Sequence, residues 1–156
     1  MAKDFSKERF AYGTLTPTSV RRLFTESSMT DVIEYHEGAN DKQIGYSLII
    51  DDTKELLHYA YPFYELSYYD KNIGMGMMLK AILSAQAKGY SYAYLGTCYT
   101  KTAKYKLQFK GVEYFTGLGW SENIEQLKQM IDTPPQKHLF KMIEDKKSFL
   151  QLFKDE

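Results

Sequence analysis

Apolar positions along the chain change period near residue 73, separating a strand-rich first part from a part led by a helix. Thr16, Pro17 and Thr18 form a helix entrance, with Val20, Leu23 and Phe24 at helical spacing behind it. Residues 29–37 alternate and are rich in β-formers (Val32, Ile33, Tyr35), which predicts a strand. A polar turn at 38–41 leads to a second strand over 44–50, and Asp51 and Asp52 turn the chain into a third over Leu56–Tyr64. Consecutive strands joined by short polar turns imply an antiparallel meander.

From Ile73 onward, Met75, Met78, Leu79, Ile82 and Leu83 recur every three or four residues, predicting a helix that ends at Lys88-Gly89. A compact strand over 91–97, full of Tyr and Leu, follows; a right-handed helical crossover makes it parallel to the meander. Next come a lysine-rich segment, a strand around 112–116, and a helix from Ser121 with Ile124, Leu127 and Ile131 inward. Pro134-Pro135 breaks that helix, and a last amphipathic one carries Leu139, Phe140, Ile143, Leu150 and Phe153. The expected architecture is a single α/β domain over 1–156, a mixed central sheet (antiparallel meander plus parallel strand) flanked by helices.

Charge narrows the function classes. Twenty basic and 20 acidic residues leave the 156-residue chain neutral. A constitutive nucleic-acid binder normally carries a strongly basic domain, so any such contact is expected on a local strip. The single Cys98 precludes an internal disulfide and suits a reducing, cytoplasmic compartment. Residues 1–10 are charged and unlike a signal peptide, and no stretch approaches the roughly 20 apolar residues that span a bilayer. His36, His58 and His138 show no ligand spacing, so no metal site is expected. Cys98 lacks a neighbouring histidine and does not read as a nucleophile.

The most informative stretch is Lys71, Asn72, Ile73, Gly74, Met75 and Gly76, at a loop-to-helix junction. Glycines there let the backbone approach a ligand, and the unpaired first amides of a helix favour a phosphate. A plain helix entrance capped by Asn72 is the structural alternative. The order of a helix, a meander, a G-x-G helix start and a parallel strand resembles the GNAT acyltransferases. In these, Q/R-x-x-G-x-G/A binds the pyrophosphate of an acyl-coenzyme A. Lys71 stands in the first position, while Gly74 and Gly76 fill the glycine positions.

A second set of motifs runs in order along the chain. Phe63-Tyr64-Glu65-Leu66 is followed, after a short loop, by Asn72-Ile73-Gly74. Tyr94-Leu95-Gly96 comes next, then a run with Lys104-Tyr105-Lys106, Phe109 and Glu113, and finally Trp120. These are similar to F-Y-D-P, S-L-G, Y-L-G, K-M-x-Y-K-x-x-F-x-P-x-E-x-L and a following Trp in the catalytic half of the arginyl-tRNA–protein transferases, whose fold is itself GNAT-like. Leu66 and Gly111 stand where that family has proline, and its cysteine cluster has no counterpart in these 156 residues.

The resemblance implies an aminoacyltransferase that moves an amino acid from aminoacyl-tRNA to an amine acceptor, a protein N-terminus or a small molecule. Glu65 and Tyr105 would be catalytic, the carboxylate orienting or deprotonating the amine and the phenol donating to the leaving oxygen, against the alternatives of a loop-capping Glu65 and a Tyr105 packed inward on a solvated lysine-rich helix. Lys101, Lys104 and Lys106 would hold phosphates of the tRNA end, and lysines interleaved with aromatics suit an unstacked nucleotide end. Tyr61, Phe63, Tyr64 and Tyr99 are candidates for the substrate pocket, against the alternative that most are core. No cofactor is required with this donor. The competing enzyme reading is an acetyl-CoA-dependent N-acetyltransferase, in which Leu107 would occupy the place of the tyrosine that often protonates the thiolate. A non-catalytic module that holds tRNA or a peptide is the third.

Overall fold

The computed structural model describes residues 1–9, 15–26, 28–51 and 55–133. Its elements fall in two compact units, Met1–Gly96 and Thr97–Glu156.

In the first unit two helices, α1 (Ala2–Arg9) and α2 (Pro17–Thr25), precede three strands, β1 (Asp31–Glu37), β2 (Lys42–Asp51) and β3 (Leu56–Tyr64). Helix α3 (Ile73–Ala87) then leads to β4 (Tyr92–Tyr94). The sheet order is β1-β2-β3-β4, with antiparallel pairing along the meander and a parallel β3–β4 pair. This is the mixed α/β sheet expected from the sequence.

Consecutive residues of a strand face opposite sides of its sheet. Ser47, Leu48 and Ile49 are 0%, 1% and 2% exposed, so both faces of β2 are covered. Helix α3 covers one face, since Met77 packs against Gly45, and α2 lies on the other, where Phe24 meets the Tyr46 ring at 5.9 Å. Phe63, fully buried, joins the layers through edge contacts with Phe5 of α1. Truncating such a core phenylalanine typically costs about 3–5 kcal/mol.

Local chemistry sets the element ends. The Thr16 side chain accepts from the Ser19 amide at 3.1 Å, capping α2 with Pro17 at its first position. Gly89 at φ +83° releases the chain from α3.

Two expectations need correction. β4 is three residues long, against the strand expected over 91–97, and with Tyr92 62% exposed it is an edge strand paired only over Leu56–His58. Asn72 occupies the N-cap position of α3, but in a left-handed conformation (φ 54°) and without a side-chain capping bond.

The second unit opens with a 3-10 segment at Lys101–Gln108, the lysine-rich stretch. A small hairpin of β5 (Tyr114–Phe115) and β6 (Trp120–Ser121) follows, then α4 (Ile124–Asp132), capped by the Asn123 side chain. The strand expected over 112–116 is β5; β6 was not anticipated. Pro134, Pro135 and the expected last helix lie outside the described residues.

Candidate functional site

Between Ser47↔Pro62 and Leu48↔Ala60 the β2–β3 register slips by one residue, leaving Tyr61 as a bulge at φ 36°. Parallel pairing with β4 ends at His58↔Tyr94, so β3 runs on from Tyr59 to Tyr64 with no partner strand on that edge among the described residues. Glu65 follows directly. Its amide donates to the Ile44 carbonyl at 2.9 Å, which fixes the backbone. Its carboxylate pairs with Lys42 Nζ at 2.9 Å and is 34% exposed. That contact is the chief reason the Lys42 ammonium titrates above its ordinary value.

Glu65 also lines an open hollow of about 410 Å³ with Met1, Asp4, Tyr64, Leu66 and Ser67. Two of its lining side chains, Asp4 and Glu65, are carboxylates, the first paired with the Met1 ammonium at 3.5 Å and the second with Lys42.

From Glu65 the chain makes a 3-10 turn, Leu66–Lys71, into α3. The Asn72 carbonyl accepts from the amides of Met75 and Gly76, each at 3.1 Å. Ile73 packs on the core. A Cβ at Gly74 would lie 3.4 Å from the Tyr64 ring, so this glycine lets helix and ring meet. Met75 is half-buried. Gly76 is different: a Cβ there would meet nothing within 4 Å, so no packing inside the described chain demands glycine.

The aromatic candidates separate. Phe63 is core; Tyr64, 7% exposed, packs on Phe5 at 4.7 Å and borders the hollow with its remaining surface. Tyr61 is 43% exposed at the bulge.

In the second unit, Tyr99 is 82% and Tyr105 41% exposed. Lys104 Nζ donates to both Asp132 oxygens at 2.7 Å, and that hydrogen bonding is the chief reason the Asp132 pKa is lowered. Lys106 donates to the Thr97 carbonyl at 2.8 Å, and partial burial lowers its pKa. Lys101 is exposed and makes no ion pair among the described residues. The Cys98 thiol donates to the Ala103 carbonyl at 3.4 Å; burial raises its pKa, which disfavours the thiolate.

Lys42, Glu37 and Tyr68 escaped the sequence reading as a group. The Tyr68 hydroxyl donates to the Glu37 carboxylate, and Glu37 and Lys42 are cross-strand partners. Opposite charges flanking the 38–41 turn were the available signal.

Among the described residues no helix is long and apolar enough to cross a membrane, and no three His, Cys, Asp or Glu side chains gather as a metal site.

The sheet with its open β3 edge and acid-lined hollow belongs to a chain of the acyltransferase class, as comparison with known families establishes. The family described as arginine-tRNA-protein transferase, C terminus, matches residues 3–116, and the chain belongs to that family. No curated protein and no solved structure gives a significant match.

Proposed function

We propose that this chain is a GNAT-like aminoacyltransferase that moves an amino acid from the 3′ end of aminoacyl-tRNA to an amine acceptor. Family membership over residues 3–116 supports the donor. The observation that carries the acceptor side is Glu65, held by Lys42 and lining a hollow beside Asp4.

The reaction is balanced without a cofactor. The amine nitrogen attacks the ester carbonyl, the new C–N bond forms, and the C–O bond to the tRNA ribose breaks. One proton leaves the amine and one is taken up by the ribose oxygen. Because the ester is already activated, orientation and removal of the amine proton are the main tasks. Glu65 accepts that proton. Lys71 to Gly76 (with Asn72, Ile73, Gly74 and Met75 between) form the donor's phosphate cradle, and the open space at Gly76 supports close approach. In the second unit, Tyr105 is the proposed donor to the leaving oxygen and Lys101 the proposed phosphate contact. The lone Cys98 suits a reducing cytoplasmic setting.

The test compares affinity for an aminoacylated tRNA acceptor minihelix with affinity for acetyl-coenzyme A at matched salt. Preference for the minihelix, with transfer to a peptide amine, is expected. Preference for acetyl-coenzyme A would replace the donor, and binding of neither would overturn the proposal.

A further inference from the structure

Two ammonium groups lie over one buried tyrosine ring at the entrance to α3. Lys71 Nζ is 4.7 Å from the Tyr68 ring centroid, and Lys42 Nζ is 5.5 Å from it. Tyr68 is 8% exposed and packs in the core with Tyr35, Ile44, Phe63 and Met77. At its rim, the hydroxyl donates to Glu37. The ring is therefore held by packing on one side and a carboxylate on the other.

The two lysines are in different situations. Lys42 is committed to Glu65 at 2.9 Å, whereas Lys71 is exposed and makes no ion pair among the described residues. A lysine on a surface turn is ordinarily mobile, but the negative face of an aromatic ring attracts an ammonium without neutralising it. Donation of the hydroxyl to a carboxylate makes the ring more electron-rich and strengthens that attraction. Lys71 immediately precedes Asn72, the N-cap of α3, so its backbone stands at the helix N-terminus, where partial positive charge gathers.

We infer that Tyr68 is a positioning residue: its ring holds the Lys71 ammonium beside the first turn of α3 for a phosphate of the donor, while its Glu37 and Lys42 contacts tie that phosphate-facing lysine to the Glu65 side of the site. The inference rests on the reading of Lys71 to Gly76 as the donor's phosphate cradle.

The experiment measures dissociation constants of the full chain for an aminoacylated acceptor minihelix at low salt. Lys71→Gln is expected to weaken binding. Tyr68→Leu should weaken it by about threefold, the scale of a lost cation–ring contact at an exposed site. In the Lys71→Gln background the same Tyr68→Leu change should add nothing, whereas Tyr68→Phe, which keeps the ring, should bind close to wild type. A purely structural Tyr68 would weaken both backgrounds equally, and that result overturns the inference. So does an effect of Lys71→Gln with none from a folded Tyr68→Leu. No effect of Lys71→Gln removes the phosphate-cradle reading itself. If Tyr68→Leu does not fold, proton NMR of the wild-type chain decides: the Lys71 ε-methylene should resonate upfield of the other lysines through the ring current. An unshifted resonance overturns the inference.

Discussion

Lys42, the first residue of β2, reaches across to Glu65, the residue after β3, and closes on its carboxylate at 2.9 Å. The pair fixes which way the carboxylate faces at the end of a strand whose other edge is open. On the proposal that Glu65 takes the proton from the acceptor amine, Glu65→Gln should lower kcat by about 100-fold or more and leave minihelix affinity unchanged. Lys42→Met should cost less, because the carboxylate remains but loses its anchor, and Lys42→Arg should restore most of the loss. Single-turnover transfer assays separate these outcomes. Full activity of Glu65→Gln would remove Glu65 from the chemistry.

The glycines at 45 and 76 should respond in opposite directions to a methyl group. A Cβ at Gly45 would sit 2.9 Å from the Phe63 carbonyl and 3.1 Å from the Met77 sulfur, so Gly45→Ala overpacks the sheet–helix layer. Overpacking of this kind costs about 1–3 kcal/mol, and urea unfolding should show it. Gly76 lies in α3 with no neighbour within 4 Å. Gly76→Ala should therefore raise stability by about 0.5–1 kcal/mol through helix propensity while weakening minihelix binding. Unchanged binding would show that no ligand backbone or phosphate approaches that position.

What the sequence disclosed follows from where local pattern and tertiary environment agree. The Leu56–Tyr64 strand and the start of α3 at Ile73 fall where the sequence pattern put them, but α3 buries Met77, Met78, Ala81 and Ala85, while Leu79 and Leu83 of the expected apolar stripe are 44% and 47% exposed. Helix α1 was invisible, since its only large apolar side chain is Phe5, buried against Phe63 and Tyr64 with no stripe around it. The strand expected over 91–97 pairs only over Tyr92–Tyr94, and its edge position leaves both of these tyrosines exposed. The α3 entrance was legible as a glycine pattern. The lysine contacts were not, because Lys104 and Asp132 are 28 residues apart and nothing local marks them as partners.

The two described histidines should give opposite pH slopes to stability. His36 bonds the Asp41 carbonyl at 3.1 Å and lies near the Glu34 and Asp41 carboxylates, so its pKa is raised, chiefly by the backbone bond. A raised folded-state pKa gives stability that is complete below about 6.5 and is lost as pH rises through the folded value. His58, half-buried against the Tyr94 ring at 4.8 Å, has its pKa lowered by burial. Its contribution is present above about 6.5 and is lost as pH falls from there through the folded value. Melting temperatures between pH 5 and 8 should thus fall less steeply at the alkaline end in His36→Gln and at the acid end in His58→Gln. The same slope in wild type and both variants would contradict these environments.

The three lysines of the 3-10 segment carry the same formal charge but are differently available to a phosphate. Lys104 is held by both oxygens of Asp132, and Lys106 donates to the Thr97 carbonyl, while Lys101 makes no ion pair among the described residues. A phosphate contact releases counterions, and each one lost should flatten the logarithmic salt dependence of binding by about 0.7–0.9. Lys101→Gln is expected to weaken minihelix binding at low salt and flatten the slope by about that amount. Lys104→Gln should change the slope less and instead loosen α4, since Asp132 loses its partner. Salt titrations of the two variants, with thermal unfolding alongside, distinguish the roles. An equal flattening in both would mean that Lys104 leaves Asp132 when the donor arrives, and the larger flattening in Lys104→Gln would exclude Lys101 as the main phosphate contact of this segment.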